Sequence, residues 1–529
     1  MKHQSLLSGI KSLGIMLSLG LALASCTKDD VAQNPAKPNE EENKNLTTFV
    51  AGGENKTRTS MDYNSGDFYW EAGDYIYVKD DNGDLKKSTN APTSKVASFN
   101  YKVPGKFGAS ASYKVYYLGK NSSGNSVTIS TNQTQTAPDN TEHFGTAGDY
   151  GTATATGSVG GKVFSFQLEH HPAYLVFQPY TSNTILQSCK LTKVEVTSDN
   201  DIAETYTVNT STGALTGSAG SKQIVLTTSG SSSNPNGFPL TNNSASVTTN
   251  GAYMVIKPGT HTLRVRYWVK YVAAGTWGVI REGTITKIYP STAYASNTYY
   301  DMTAQLDVKN YDGDHYYMWD AQQQYWYGHE WWSANKDQPV LNDYSNGNYA
   351  QNSTDPRYYN TSFPGRYISN PAIHSCKDLP NVNEMTWYAA KGDPRWDADE
   401  LWITMGHLYQ GGMWFKKKAV LQVEGHYDTE KSVDGTDWRI NNGGNSWSVS
   451  QTLPSTADAN KYFYLPALGD YDNGRQKYVG SHDAPYGMYW SSSANPEWSG
   501  LAYDLSFDSG NVNVYGGNRL CGFRVGGFE

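Results

Sequence analysis

Short runs of apolar residues, divided by glycine, asparagine, aspartate, serine and proline, fill the chain from residue 46 to about residue 305. Their length and their β-branched and aromatic content are typical of strands. Eleven such runs are LTTFVAG, DYIYVKD, YKVYYLG, SVTIST, KVFSFQL, AYLVFQP, KLTKVEVTS, KQIVLTT, AYMVIKP, HTLRVRYWVKYV and GTITKIYP. This spacing predicts sandwich or barrel domains, and a quieter stretch near 180–186 predicts a boundary between two of them.

The pattern changes at about residue 306. Twelve of the 15 tryptophans lie between Trp319 and Trp498, so we expect a different kind of domain there. Two segments of this region are predicted helices, NVNEMTWYAAKG and DADELWITMGHLY. In the first, Asn381 or Asn383 is positioned to cap the helix and Gly392 to end it.

The last 29 residues raise a question about assembly, because a terminal strand can close its own domain or be lent to another subunit. Residues 501–508 alternate between apolar and polar side chains, as a half-buried strand does. Residues 509–511 and 516–518 are predicted tight turns that fold the ending back on itself. Cys521 and Phe523 share one face of the last strand. We therefore predict a closure and not a donor strand.

The N-terminus has the features of a lipoprotein signal peptide over residues 1–26. Lys2 and Lys11 precede an apolar stretch, GIMLSLGLALA, and the sequence LASC then ends at Cys26. The mature chain would begin at Cys26 with an acyl chain such as palmitate on its sulfur. The alternative is a buried N-terminal helix. Residues 27–45 carry prolines and many charges without periodicity, which predicts a disordered tether.

Composition favours an extracellular, all-β protein of two to four domains. The chain has 529 residues, 17% of them charged, with 51 glycines and 40 tyrosines. Its net charge of -8 includes no basic block, so a nucleic-acid partner is not expected.

Three cysteines, Cys189, Cys376 and Cys521, remain after lipidation of Cys26. No CxxC or Cys/His spacing indicates zinc or redox chemistry. In an oxidising exterior we predict that Cys376 pairs with Cys521, since both lie in the C-terminal region. The role of Cys189 is left open.

Catalytic and metal-binding patterns are missing from the sequence. It contains no HExxH, phosphate-binding loop or nucleophile elbow, so we predict neither an enzyme nor a cofactor. The adjacent His170 and His171 would point to opposite faces of a strand and are predicted to be structural. The segments DWRINNGGN and GDYDNGRQ, the second of which holds Asp470 and Asp472, are predicted turns, with calcium binding as the alternative.

Three segments resemble the fimbrillin family, the pilins of type V surface fibres in Bacteroidetes: TRTSMDYNSGDFYWEAGDYIYVKD (57–80), FQLEHHPAYLVFQ (166–178) and IYPSTAYASNTYYDMTAQL (288–306). The resemblance implies two β-sandwich domains, 46–182 and 183–305. It also implies that cleavage after a basic residue releases the first strand, LTTFVAG, and that a strand of the next subunit fills the groove. Arg58 is the predicted cleavage point, with Lys56 second. "TKDD" after Cys26 likewise resembles the surface-export signal of Bacteroidetes lipoproteins.

Residues 306–529 resemble the Fibrobacter major paralogous domain, an α+β relative of C-type lectin-like domains. The matching segments are SCKDLPNVNEMTWYAAK, YFYLPALGDYDNG, YGMYWSSSANPEWSGLAYDLSFDSGNVNV and NRLCGFRV. In such relatives, a cysteine near the first helix pairs with one in the last strand, as Cys376 and Cys521 would. Calcium-dependent lectins carry a Trp-Asn-Asp strand that this chain lacks.

Ligand binding is therefore predicted around Asn495, Glu497 and Trp498, with Asp470 and Asp472 as further candidates. An exposed indole can stack on a sugar ring or anchor a protein contact.

Together, these observations predict a mostly β protein that is anchored in the outer membrane, exposed at the cell surface and carried at a pilus tip. It would receive a strand from another pilin and bind a host or bacterial glycan or protein through its lectin-like domain. Two alternatives stay open: a stand-alone surface glycan-binding lipoprotein, and an enzyme on a fold like that of the sulfatase-modifying factors.

Overall fold

The computed structural model describes residues 2–5, 45–52, 60–63, 68–122, 124–271, 282–340, 347–362, 372–479 and 485–529. The described chain is mostly β, as the sequence predicts. All eleven predicted strand runs contain strands, and the first predicted helix is present.

Among the described residues, twenty-three strands precede residue 306. They are β1 (Lys2–Ser5), β2 (Leu46–Ala51), β3 (Ser60–Met61), β4 (Phe68–Tyr69), β5 (Tyr77–Lys79), β6 (Leu85–Lys87), β7 (Phe99–Pro104), β8 (Ser112–Tyr117), β9 (Ser126–Thr128), β10 (Asn132–Thr134), β11 (Gly151–Gly157), β12 (Val163–Phe166), β13 (Glu169–His170), β14 (Ala173–Tyr180), β15 (Cys189–Ser198), β16 (Ala203–Val208), β17 (Leu215–Ser221), β18 (Gln223–Thr227), β19 (Phe238–Pro239), β20 (Ala252–Ile256), β21 (Gly259–Tyr271), β22 (Glu282–Tyr294) and β23 (Thr298–Gln305).

Eleven strands follow residue 306 in the part of the chain that the structure describes. They are β24 (Tyr316–Tyr317), β25 (Arg395–Thr404), β26 (His407–Lys416), β27 (Asn445–Ser448), β28 (Tyr462–Pro466), β29 (Asp470–Asp472), β30 (Arg475–Lys477), β31 (Gly487–Ala494), β32 (Leu501–Phe507), β33 (Asn511–Asn518) and β34 (Phe523–Arg524). The helices are α1 (Phe144–Ala147), α2 (Thr184–Gln187), α3 (Val247–Asn250), α4 (Val382–Lys391) and α5 (Lys418–Val423), with a 3-10 helix at Thr456–Lys461.

The first large sheet has the strand order β6-β5-β8-β11-β12-β2-β7, with β13 paired to β11. Its inward side chains, among them Phe49, Tyr101 and Phe164, form an aromatic core together with Trp70. The chain turns after Trp70, and Gly73 adopts a φ of 81° there, a conformation that favours glycine.

The next sheets draw on strands from both predicted β domains. β14 pairs with β20 and β23, while β9 and β10, from the same predicted first domain, pair with β16 and β18. β1 pairs in parallel with β23. The region 46–182 therefore contributes three strands to the sheets of the region 183–305.

The histidine pair in this region is structural, as the sequence predicts. His170 is buried, and its Nδ1 lies 3.0 Å from Asp149 Oδ1. The Nε2 atom of His171 lies 2.8 Å from Thr152 Oγ1. The two rings contact different partners, so they do not form a pair of ligands for one ion.

A nine-stranded sheet continues from the second β region into the C-terminal region, in the order β10-β18-β15-β21-β22-β25-β26-β28 with β19 paired to β15. The junction is a parallel contact between Thr284 of β22 and Glu400 of β25. Leu401, Ile403 and Leu408 of the β25–β26 hairpin are buried in the hydrophobic core of the second region. The two regions thus share a sheet and a core.

Buried charges reinforce this junction. Arg266 Nη2 donates a hydrogen bond to Asp397 Oδ1 at 2.8 Å, and Trp414 Nε1 donates to the other carboxylate oxygen at 3.2 Å. The carboxylate of Glu400 accepts hydrogen bonds from the backbone N–H and the hydroxyl of Thr286, at 2.9 and 2.6 Å. The pKa of Glu400 is raised, mainly because the carboxyl group is buried.

The predicted helix over 397–409 is wrong, because the segment folds as the β25–β26 hairpin. Met405 and Gly406 turn the hairpin with φ values of 49° and 74°. This is the geometry of a two-residue turn with left-handed central residues. The first helix is α4, capped by Asn381 with Glu384 completing a capping box.

The C-terminal ending lies inside a six-stranded sheet of order β24-β34-β31-β32-β33-β27. β32 is buried on both faces, so the predicted half-buried pattern is wrong, and Asp504 is enclosed. The predicted turn at 516–518 is also wrong, since these residues belong to β33. A side chain at Gly517 would clash with Asp504, because its Cβ would lie 2.6 Å from Oδ2.

Candidate ligand-binding surface of the C-terminal region

Asn495 shapes the loop between β31 and β32 that carries the predicted ligand-binding residues. Its Oδ1 accepts hydrogen bonds from the backbone N–H groups of Glu497 and Trp498, at 2.9 and 3.0 Å. The side chain is only 3% exposed. Asn495 therefore acts as a turn-forming residue, in the way that asparagine side chains commonly fold local backbone.

Asn442 joins this loop to a second one at 441–444. Its Oδ1 accepts from Asn495 Nδ2 at 3.0 Å and from the hydroxyl of Tyr503 at 3.1 Å. Its Nδ2 donates to Glu497 Oε2 at 3.2 Å. Because the side chain of Asn442 contacts three residues of the β31–β32 segment, it fixes the position of one loop relative to the other.

The hydroxyl group of Tyr503 contacts both Asn442 and Gly443. The ring is buried, and its hydroxyl accepts a hydrogen bond from the backbone N–H of Gly443 at 3.0 Å. Burial raises the pKa of Tyr503 to about 12. The hydroxyl therefore stays protonated and can donate to Asn442 throughout the physiological pH range.

Two aromatic side chains are exposed beside these loops. The Trp498 side chain is 59% exposed, and that of Tyr515, on β33, is 47% exposed. Tyr515 packs closely against Gly444, where a Cβ would lie 2.5 Å from the tyrosine ring. The ring of Tyr515 thus contacts the loop that carries Asn442, and Trp498 directly follows Glu497 in the chain. Each loop therefore has an exposed ring near a polar side chain, a combination suited to stacking on a sugar or to anchoring a protein contact.

A second exposed aromatic surface lies at Trp332, which is 52% exposed and stands 5.9 Å from the ring of Trp331. Both residues lie in a turn, and only Trp331 is partly covered; its Nε1 donates to the backbone oxygen of Asp312 at 2.6 Å. Of the two side chains, that of Trp332 is the exposed one.

Asp470 and Asp472 lie in a different hairpin, β29–β30. Asp470 is buried, its Oδ1 has no hydrogen-bond partner, and burial raises its pKa to about 7. Asp472 pairs with Lys477. The carboxylate of Asp470 is therefore buried in the protein interior, and that of Asp472 is paired with a lysine.

The predicted Cys376–Cys521 disulfide is absent, since both residues are free thiols. They lie in one small hydrophobic cluster with Trp490 and Phe523, so the shared face predicted for Cys521 and Phe523 is present. The sulfur of Cys376 instead accepts a hydrogen bond from the backbone N–H of Asp320 at 3.3 Å.

Three predicted residues, Cys26, Lys56 and Arg58, lie outside the described residues. Within the described ranges, no cluster of three or more histidine, cysteine, aspartate or glutamate side chains could hold a metal ion. Nor does the described part of the chain include a helix long and apolar enough to cross a membrane.

Asn442, Tyr503 and Tyr515 are the site residues that the sequence did not single out. Asn442 falls within DWRINNGGN, which was selected for its oxygen-rich side chains. Tyr503 follows the apolar alternation of its strand and gave no separate signal.

No protein-family model matches the chain, and no curated protein matches it. Solved structures do show similarity. A candidate cell adhesion protein of Bacteroides ovatus is 13% identical, with 49% of this chain and 93% of that chain covered and a TM-score of 0.30. A fimbrial protein of the same species is 11% identical, with 90% and 99% covered and a TM-score of 0.23. The fimbrial anchor protein Mfa2 of Porphyromonas gingivalis is 10% identical, with 42% and 78% covered and a TM-score of 0.21. TM-scores this low do not establish a shared fold.

Proposed function

We propose that this protein is a surface-exposed accessory subunit of a fimbrillin-type pilus and that it occupies the tip. In this proposal, a precursor anchored through Cys26 loses its first strand after Arg58, accepts a strand from the next subunit, and presents the C-terminal region for adhesion. The resemblance of three separated sequence segments to the fimbrillin family supports the assignment.

The position of β2 is the observation that carries the proposal. This strand runs parallel to β12 and antiparallel to β7, so it is an interior strand of the first sheet. It precedes residues 53–59, which contain both predicted cleavage points. Release of β2 after cleavage would expose the edges of two strands at once, and such a slot is suited to strand addition.

The side chains around β2 describe what the incoming strand would have to supply. Phe49 is fully buried; its ring stacks on Phe164 at 5.5 Å and meets Phe107 edge-on at 5.1 Å. Ala51 is buried on the same face. Burying one aromatic side chain contributes about 2–3 kcal/mol, so a donor with an aromatic residue at this position would refill the core.

In this proposal, β32 stays within its own sheet. It is hydrogen-bonded on both sides, to β31 and β33, and Tyr503, Leu505 and Phe507 are buried in the core of the C-terminal region. Lending this segment to another subunit would dismantle that core, so we do not expect β32 to act as a donor strand.

The adhesive surface in this proposal is the junction of Trp498, Tyr515, Asn442 and Glu497. A glycan is the favoured ligand class because exposed rings beside amide and carboxylate groups provide both stacking and hydrogen bonding. Asn495 has a structural role in this arrangement, since its side-chain oxygen is occupied by two backbone donors.

Assembly can be tested by expressing Arg58→Ala, alone and combined with Lys56→Ala, together with the shaft pilins. We expect the double variant to be missing from purified fibres, while the exposed control Lys114→Ala is incorporated normally. Incorporation of the double variant at the wild-type level would contradict strand release. If the wild-type protein itself never associates with fibres, the alternative of a stand-alone glycan-binding lipoprotein gains support.

Adhesion can be tested by comparing Trp498→Ala with Trp332→Ala on a glycan array and on host-cell surfaces. The two tryptophans are similarly exposed, at 59% and 52%, so the pair controls for loss of an exposed indole in general. We expect binding to fall by about tenfold or more only for Trp498→Ala, as is usual for a central aromatic anchor. Equal loss in both variants, or loss only for Trp332→Ala, would reject the proposed surface.

A further inference from the structure

β2 carries one polar residue on the face that it turns toward the core of the first sheet. Buried and half-buried residues alternate along the strand, and Thr47, Phe49 and Ala51 are the buried ones. Phe49 and Ala51 are apolar and belong to the aromatic core. Thr47 is just as inaccessible to solvent, but it brings a hydroxyl group to this face.

The hydroxyl of Thr47 makes no hydrogen bond. Its Oγ1 atom is buried and has no partner among the described residues. Val103 of β7 lies directly opposite Thr47 on the same face of the sheet and is fully buried, so the nearest cross-strand neighbour is apolar. A hydroxyl that loses its hydrogen bonds to water and gains none in the protein destabilises the folded state. Thr47 therefore weakens the hold of β2 on its sheet.

Thr48 offers a direct comparison within the same strand. Its side chain is half-buried, and its Oγ1 accepts a hydrogen bond from Lys102 Nζ at 2.8 Å. Valine is β-branched like threonine and favours strands as well, so the strand itself does not require a hydroxyl at either position. The two adjacent threonines thus differ in one respect that matters for stability: the hydroxyl of Thr48 has a partner and that of Thr47 has none.

The other two inward residues define the register of any strand in this position. The ring of Phe49 lies 5.5 Å from that of Phe164 and 5.1 Å from that of Phe107. Ala51 is in register with a phenylalanine on each neighbouring strand, one on β7 and one on β12, so a small residue fits there. A shift by one residue would move the aromatic side chain to the opposite face of the sheet.

Covalent attachment compensates for the weakness at Thr47 until the chain is cut. While β2 is joined to the rest of the chain by a short linker, its effective concentration at its own position is on the order of millimolar, which a free strand must overcome. Cleavage after Arg58 removes this advantage. Whether β2 is then replaced depends on the difference in affinity between β2 and the incoming strand.

We propose that Thr47 makes β2 replaceable and that the incoming strand carries valine, or another apolar residue of similar size, at this position. The same strand carries an aromatic residue at the position of Phe49 and a small one at that of Ala51. It therefore refills the core without burying an unpaired hydroxyl, and it binds more tightly than β2. This inference rests on the proposed strand replacement and adds the side-chain pattern of the partner strand.

Peptide exchange on a cut chain tests the inference without fibres. In the full mature chain, the recognition sequence of a site-specific protease replaces residues 53–59 and is cut after folding. Fluorescent LTTFVAG, the sequence of residues 46–52, is compared with the same peptide carrying Thr47→Val by fluorescence anisotropy and by release of the N-terminal fragment. We expect the Thr47→Val peptide to bind about tenfold more tightly, the size usual for removal of an unpaired buried hydroxyl.

Two further peptides serve as matched controls. The peptide carrying Thr48→Val changes a hydroxyl that has a partner, so it should bind no more tightly than LTTFVAG. The peptide carrying Phe49→Ala lacks the aromatic side chain and should not displace β2. Equal affinities of LTTFVAG and the Thr47→Val peptide, or an equal gain from Thr48→Val, would overturn the inference. Failure of every peptide to displace β2 would overturn it as well.

The reciprocal experiment makes the change in the chain itself. In the cut protein, Thr47→Val should retain β2 and weaken displacement by LTTFVAG about tenfold, whereas Thr48→Val should exchange as the wild type does. Equally ready exchange by the Thr47→Val protein would refute the inference. The proposed assembly fails separately: fibre-associated chains that begin at Cys26 would reject it even if peptide exchange shows this preference. Fibre-associated chains that begin at Thr59, combined with peptide binding that ignores position 47, would reject the inference alone.

Discussion

The charged pair between Arg266 and Asp397 leads to a quantitative prediction about the junction of the two regions. The pair is almost fully buried: the side chain of Arg266 is 8% exposed and that of Asp397 2%, with 2.8 Å between Nη2 and Oδ1. Removal of one partner from a buried pair costs about 3–5 kcal/mol, because the other charge stays buried without compensation. Asp397→Ala should therefore lower the free energy of unfolding by about that amount.

Two further variants separate the charge effect from simple loss of packing. Asp399 lies 3.7 Å from the same Nη2 but is 36% exposed, so Asp399→Ala should cost no more than about 1 kcal/mol. The double replacement Arg266→Met with Asp397→Leu removes both charges and keeps apolar volume. It should recover most of the stability lost in Asp397→Ala, since well-packed apolar groups often replace buried pairs at little cost.

Denaturant unfolding followed by tryptophan fluorescence measures these effects, because 12 of the 15 tryptophans lie in the C-terminal region. We expect wild type and Asp399→Ala to be the most stable, the double variant to be close to them, and Asp397→Ala to be the least stable. A loss of less than 1 kcal/mol in Asp397→Ala, or a double variant as unstable as the single one, would refute it.

Three other predictions concern the C-terminal region. Burial raises the pKa of Asp504 from 3.8 to about 8, so the folded state binds the proton of this carboxyl more tightly than the unfolded state does. The free energy of unfolding should therefore fall as the pH rises from 4 to 8, by up to about 1.4 kcal/mol per pH unit. In unfolding measurements, Asp504→Asn should flatten this dependence of stability on pH. Asn442→Ala removes three hydrogen bonds that join its loop to the β31–β32 segment, and it should destabilise the region by about 1–2 kcal/mol. The neighbouring control Asn441→Ala should change the free energy of unfolding by less than about 0.5 kcal/mol. Equal effects of the two variants would contradict the role of Asn442. Because Cys376 and Cys521 are free thiols, a reductant should leave the unfolding temperature unchanged, and a decrease would show that a bridge forms.

The strands before residue 306 could be predicted because local patterns decide them. Their apolar and aromatic runs are short, and turn residues separate them. The segment 397–409 could not be predicted in this way. Its two strands pair with each other, but their outer neighbours are β22, which lies more than 100 residues earlier in the chain, and β28. The turn at Met405 also gave no signal, because methionine rarely adopts a positive φ.

The residues of the candidate site likewise include some that a local motif predicts and others that only the folded chain brings together. Trp498 and Glu497 follow a turn-forming asparagine and proline, and a local motif was sufficient to select them. Asn442 is separated from its partners Asn495 and Tyr503 by 53 and 61 residues, so only the folded structure brings them together. Asp504 was expected to face solvent because it alternates with apolar residues, but β32 is an interior strand with buried residues on both faces.

The central claim is that the protein enters a fibre as a cleaved subunit whose first strand has been replaced. Mass spectrometry of the N-terminus of the chain isolated from assembled fibres tests this claim most directly. We expect a chain that begins at Thr59, immediately after Arg58, and lacks the strand Leu46–Ala51. A fibre-associated chain that still begins at Cys26 would contradict it.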